Sequence, residues 1–193
     1  MICYVWQSVV YLNQTIKNNL LKLSPTDFAY VVESAVKRYY EINGSKIESP
    51  LDKSYDALID KLKEEIKGTR ATYSVKIKIK DGGNIYETIK NFKKGDYVKD
   101  DELLTANWLC NIQQIKNKCF AFMSYVVFAD DSVYLFRMSS DQIASEKNIG
   151  LTNQHRDGVE TQFKLKKHSF QYHLDNYLIK KMSWDYFCQL IDY

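Results

Sequence analysis

Apolar residues recur in the first third of the chain at spacings of three and four. Phe28, Val31, Val32, Ala35, Val36 and Tyr39 form one continuous stripe. Ser24 stands before it as an N-cap, and Pro25 occupies the first position, where its missing N–H costs nothing. Asn43-Gly44 supplies the stop, so the pattern predicts a helix. A second Ser-Pro start, Ser49-Pro50, opens a run with Leu51, Tyr55, Leu58, Ile59, Leu62 and Ile66 on one face and Gly68 at its end. That spacing predicts a second helix, with Asp52, Lys53, Asp56, Asp60, Lys61, Lys63, Glu64 and Glu65 as a solvated face of mixed sign. Gln7 to Leu23 has helical spacing too, without a marked boundary.

At Tyr73 the period changes to two. Tyr73, Val75, Ile77 and Ile79 alternate with Ser74, Lys76, Lys78 and Lys80 ahead of Asp81-Gly82-Gly83, which predicts a half-buried strand ending in a turn. Asn84 to Glu87 has the form of a capping box and predicts a short helix. Asp100 and Asp101 open a further predicted helix through Leu103, Leu104, Trp108, Leu109, Ile112 and Ile115. Cys119 to Phe128 and Ser132 to Met138 are aromatic and β-branched and flank Ala129-Asp130-Asp131, so they predict a long central hairpin. Both of its strands are apolar on nearly every residue, which requires cover on both faces. Ser140-Asp141-Gln142 begins a helical turn. Gly150 to Gln154 and Val159 to Leu165 read as strands around an Arg156-Asp157-Gly158 turn, and Ser183 caps a last helix. The fold class is α+β: a helical N-terminal half packed on a mixed β-sheet with a long central hairpin. The expected organisation is one domain over 1–193, helical in 1–68 and sheet-containing in 69–193.

Composition narrows this only a little. An apolar fraction of 45% with 26% charged residues is that of a chain with a core, which excludes disorder as the class. The net charge of +3 permits a nucleic-acid partner without demanding one. Cys3, Cys110, Cys119 and Cys188 lack metal or redox spacing, which predicts reduced thiols and a cytoplasmic location. The apolar opening from Met1 to Leu12 lacks a basic leader, and no apolar run approaches the roughly 18 to 20 residues of a membrane span. The sequence has no Gly-rich phosphate loop, GxSxG elbow or HExxH, which argues against nucleotide-dependent and serine-hydrolase chemistry.

Metal-assisted phosphodiester hydrolysis needs carboxylates for a hard cation and a lysine near the attacking water. On a strand these groups take alternate positions, giving acid-x-Lys. Lys76 supplies the lysine, but Ser74 stands where the acid belongs. A second register lies in Glu160, Gln162 and Lys164, where an amide oxygen takes the acid's place. His155 and Arg156 sit in a polar loop suited to phosphate contact, and Lys78 and Lys80 extend the lysine row.

The order of Glu33 on a helix, a lysine-bearing strand, a helix and an apolar strand pair resembles the PD-(D/E)XK nuclease superfamily, which includes many type II restriction endonucleases. The segment from Gln154 to Lys164 is similar to a basic loop and Gln-Phe-Lys strand near the end of some small restriction enzymes. The resemblance implies Lys76 as the lysine, Glu33 as the helix acid and Asp56 or Asp60 as the remote acid. In the second register Gln162 and Lys164 carry the site, with Glu160 and Asp56 as metal ligands. It further implies Mg²⁺ as cofactor, duplex DNA as substrate contacted by Lys78, Lys80, His155 and Arg156, and a homodimer. The plainer readings stay open. The lysine row is then a solvated face, Asp130-Asp131 a turn, and His168 and His173 ordinary surface or core residues. The chain is then a non-catalytic interaction protein of defence or counter-defence type, or a nuclease fold that binds nucleic acid without cutting it.

Overall fold

The computed structural model describes residues 14–74, 96–116, 118–154 and 160–191. It is an α+β fold. After a helical stretch at 14–20 come helix α1 (Pro25–Ile42) and strands β1 (Ile47–Glu48), β2 (Ala57–Ile59), β3 (Leu62–Arg70) and β4 (Thr72–Tyr73). β5 (Trp108–Ile115), β6 (Phe122–Phe128) and β7 (Val133–Ser139) lead to helix α2 (Ser140–Ser145). β8 (Thr152–Asn153), β9 (Thr161–Leu165), α3 (Lys167–Tyr177), β10 (Leu178–Met182) and α4 (Trp184–Ile191) complete the order. One sheet runs β1-β2-β3-β6-β7-β10, and a second runs β4-β5-β9-β8. The first is mixed, because β3 and β6 are parallel while its other pairs are antiparallel.

Helix α1 forms where its caps place it. Ser24 accepts a hydrogen bond from the Asp27 amide, and Phe28, Val32, Ala35, Val36 and Tyr40 are its buried face. The predicted helix over 51–66 is instead the β2–β3 hairpin. Asp60 and Lys61 both take positive φ, 51° and 68°, between paired Ile59 and Leu62, the two-residue turn whose twist suits a hairpin. The apolar spacing fitted a helix, but β3 gains a seven-residue parallel register with the core strand β6, and that long-range pairing overrides local periodicity.

Gly68 is therefore no helix stop. A Cβ there would lie 2.7 Å from Val32 Cγ2, so its missing side chain lets α1 sit directly on β3.

The predicted helix over 101–115 is likewise overturned. Asp100–Glu102 makes one 3-10 turn, and Trp108–Ile115 is β5. Trp108, Cys110 and Ile112 point inward and Leu109, Asn111 and Gln113 outward, a period of two until a bulge before Ile115.

The central hairpin stands where its sequence placed it, Phe122 pairing with Ser139 and Phe128 with Val133. Its two faces supply two cores. Val126, Phe128, Val133 and Leu135 pack under α1 and α4, where Phe187 meets Phe128 at 5.0 Å between ring centroids. Met123, Tyr125, Val127, Phe136 and Met138 pack against β5, β9 and α3. The capped turn at Ser140 and the final helix after Ser183 are also present. Cys110, Cys119 and Cys188 are not in disulfides, and Asp130-Asp131 lies in the hairpin turn. No helix among the described residues is long and apolar enough to cross a membrane. The predicted strand beyond Ser74, the predicted helix at 84–92, Met1 to Leu12 and Cys3 lie outside the described residues.

Candidate active site

Strand β2 begins at Ala57, paired with Glu64, so among the described residues β3 has no strand partner on that edge beyond Glu64. Asp56 fills the gap. Its amide donates to the Glu64 carbonyl at 2.9 Å, and its Oδ2 accepts the Ile66 amide at 2.7 Å. A carboxylate thus replaces a ladder carbonyl and is fixed beside the tripeptide Glu65-Ile66-Lys67. Glu65 and Lys67 are two apart on a strand and share a face. Their side chains meet, with Lys67 Nζ 2.5 Å from Glu65 Oε1. From α1, Glu33 joins the group, with Lys37 Nζ 3.6 Å from its Oε2 one helical turn away.

The electrostatics tie these groups together. Glu65 is only 7% exposed, and burial raises its pKa above the usual carboxylate value. Lys67 opposes that rise, Asp56 adds to it, and Lys116 also lowers it. Glu33 is raised as well, by burial first and by Asp56 second, with Lys37 and Lys67 opposing. Asp56 is thus the shared neighbour of both raised glutamates, and Lys67 the shared cation. Carboxylates crowded on a partly buried edge resist ionising together, and a divalent cation relieves that cost. Among the described residues no three His, Cys, Asp or Glu side chains are arranged to hold an ion by themselves.

Glu64, next in sequence to Glu65, has a different environment because it points to the other face of β3. It is fully buried and receives two hydrogen bonds from Arg137, at 3.1 and 2.7 Å, and one from the Ser124 hydroxyl at 2.6 Å. Tyr40 and Ser124 share a further hydrogen bond of 3.0 Å, and Arg137 lies over the Phe122 ring. Every oxygen of Glu64 is engaged. It is a structural acid.

The sequence-predicted residues divide accordingly. Glu33 and Asp56 are brought together. Asp60 is in the hairpin turn, where its Oδ1 accepts the Lys46 amide at 2.8 Å, roughly 13 Å along the strand from Asp56 at the usual rise per residue. Glu160 lies 3.4 Å from Lys116, at the end of β5 nearest Glu65. Gln162 and Lys164 lie on the outward side of β9, opposite the buried Phe163 and Leu165. Lys76, Lys78, Lys80, His155 and Arg156 lie outside the described residues. Glu65 and Lys67 were not singled out in sequence. Their signal was present as acid-x-Lys in Glu65-Ile66-Lys67, concealed by assigning that stretch to a helix, where residues two apart diverge.

His173 is fully buried and shares a 2.6 Å hydrogen bond between Nδ1 and the Tyr125 hydroxyl, so it belongs to the core.

No protein-family model matches the chain, and no curated protein does. Among solved structures, a bacterial homing endonuclease, I-Ssp6803I, aligns with 79% of this chain and 93% of its own, at 14% identity and a TM-score of 0.41. A likeness at that level assigns neither family nor chemistry.

Proposed function

We propose that this protein hydrolyses phosphodiester bonds of duplex DNA with a divalent cation, at a site made by Asp56, Glu65 and Lys67 with Glu33 beside them. The observation that supports it is the anchoring of Asp56 on the Ile66 amide, between an acid and a lysine that share one strand face. Two carboxylates, with no third ligand among the described residues, suit Mg²⁺, which is commonly held by one or two carboxylates and completes its octahedron with waters and substrate phosphate oxygens. When bound, such a cation polarises the phosphoryl oxygen and acidifies a coordinated water. Asp56 and Glu65 would hold it, Asp56 through Oδ1 because Oδ2 is already engaged.

The chain's own groups account for the rest. Lys67 carries the positive charge that a phosphate needs, and the incoming phosphate competes with Glu65 for it. Glu33 has a raised pKa and stands beside Asp56, so its carboxylate is suited to accept a proton from the attacking water. The water oxygen bonds to phosphorus as one ester P–O bond breaks, and the leaving oxygen takes a proton, giving a phosphomonoester and an alcohol. Two copies in two-fold symmetry would present one site to each strand, which is the reason to expect a homodimer on DNA. The reduced thiols fit a cytoplasmic setting.

The test is cleavage of supercoiled plasmid with Mg²⁺. Asp56→Asn, Glu65→Gln and Lys67→Met should each lower the rate by about a hundredfold or more, the scale for losing a group that stabilises transition-state charge. Undiminished cutting by all three variants would sink the assignment. Salt-sensitive DNA retardation with no cutting by the wild type would leave a nucleic-acid-binding protein without the chemistry.

A further inference from the structure

The outward face of the second sheet is unusual in its chemistry. On β5 it carries Asn111 and Gln113, on β9 Gln162 and Lys164, and on the β8 edge Thr152. Asn111 stands directly opposite Lys164, and Thr152 opposite Gln162. At the bulge between Ile112 and Ile115, Gln114 takes φ 58°, and its amide donates to Gln154 Oε1 at 2.7 Å, next to exposed Gln113. None of these positions is a carboxylate. The face offers amides, a hydroxyl and the Lys164 ammonium, with exposed Leu109 beside them and the Lys116–Glu160 pair at its end.

We infer that the β5–β9 face reads base edges in the major groove of duplex DNA, beside the site that cuts it; the choice of DNA as ligand rests on the nuclease reading. Each amide presents a donor and an acceptor on one planar group, the pattern that pairs with adenine N6 and N7. Strands about 4.8 Å apart form a ribbon that a groove about 12 Å wide admits. The accessible amides are those of Gln113 and Gln162, which bond to each other. Gln113 Nε2 reaches Gln162 Oε1 only at 3.3 Å, a long bond that a base edge can replace. Lys164 brings positive charge to the face, complementary to the phosphate backbone, while Lys116 at its end is paired with Glu160. The face is also continuous with the cutting site. Lys116 follows β5 and is held by Glu160 at 3.4 Å, and from Ile115 back to Asn111 the strand spans roughly 13 Å, or about four base pairs.

The experiment is a binding selection on a randomised DNA duplex, using full-length Asp56→Asn protein so that no cutting is required. The same protein carrying Gln113→Ala and Gln162→Ala, or Lys164→Ala, is compared after its melting temperature is matched to the parent. The parent should enrich a short motif. The double amide replacement should relax preference roughly tenfold to a hundredfold at one or two adjacent positions, with the remaining positions unchanged. Lys164→Ala should weaken binding across all sequences and lower the salt slope by about one unit. Duplex RNA should compete poorly, because its major groove is too narrow for side chains to read. The inference is overturned if the amide variant enriches the parent's motif unchanged, if duplex RNA competes equally, or if no motif is enriched. In the last case plasmid cutting by the wild type would leave the nuclease reading standing. A motif lost on amide replacement, from a protein that cuts nothing, would uphold the face and remove the nuclease reading.

Discussion

Glu64 and Glu65 are adjacent acids on one strand, yet the alternation of a β-strand sends them into different chemistry. Glu64 is enclosed by Arg137 and Ser124, and Glu65 meets Lys67 at the sheet edge. Arg137→Met should therefore destabilise the fold by about 3 to 5 kcal/mol in urea denaturation, because it leaves a buried carboxylate unpaired. Glu64→Gln should cost less and leave the cleavage rate per folded molecule intact, whereas Glu65→Gln should remove cleavage and spare stability. His173 gives the pH dependence at this scale. Burial lowers its pKa from 6.5 to about 4, so the folded state holds it neutral while the unfolded chain protonates it. Its contribution is complete above about pH 6.5 and is lost as pH falls towards 4, up to roughly 3 kcal/mol in all. Imidazole NMR signals should show a neutral ring down to about pH 4, and titration near 6.5 would refute the buried assignment. The acid-x-Lys motif was written plainly in Glu65-Ile66-Lys67. What concealed it was the hydrophobic spacing around it, which satisfies a helix as well as a hairpin.

At the scale of elements, the decisive contact is α1 on β3. Gly68 sits under Val32 and Phe28, and that approach brings Glu33 near Asp56. Gly68→Ala should cost about 1 to 3 kcal/mol through overpacking and should slow cleavage beyond what lost stability explains, since α1 must move away. Adding Val32→Ala should restore part of both, measured by denaturation and plasmid cutting on the same preparations. Elements whose signals are local were legible: α1 between its cap and its stop, the central hairpin around Asp130-Asp131, the turn at Ser140 and the last helix. β3 and β5 were not, because their strand identity comes from partners far away in sequence, β6 for one and β9 for the other.

At the scale of the molecule, the net charge of +3 is too small to steer DNA by itself, so the proposed recognition would rest on where cations and amides are placed. A cation that binds the folded site alone stabilises the whole protein, by about 2.7 kcal/mol at one hundred times its Kd. Calorimetry should therefore find the melting temperature raised by Mg²⁺, roughly 2 to 4 °C per kcal/mol for a chain of this size, and Asp56→Asn should abolish the rise. Glu33 and Glu65 are raised, so each adds stability below its raised pKa in metal-free protein and loses it as pH climbs through that value. Protons compete with the cation there, and the Mg²⁺ effect should grow as pH rises above the usual carboxylate range. By itself the sequence determined the α+β class, the doubly covered hairpin and helix α1, because caps, turns and apolar runs act over a few residues. Only the tertiary structure decided which lysine and which acid stand together. That choice depends on β2 beginning opposite Glu64 and on Asp56 accepting the Ile66 amide, and pairings between distant segments leave no local trace in the chain.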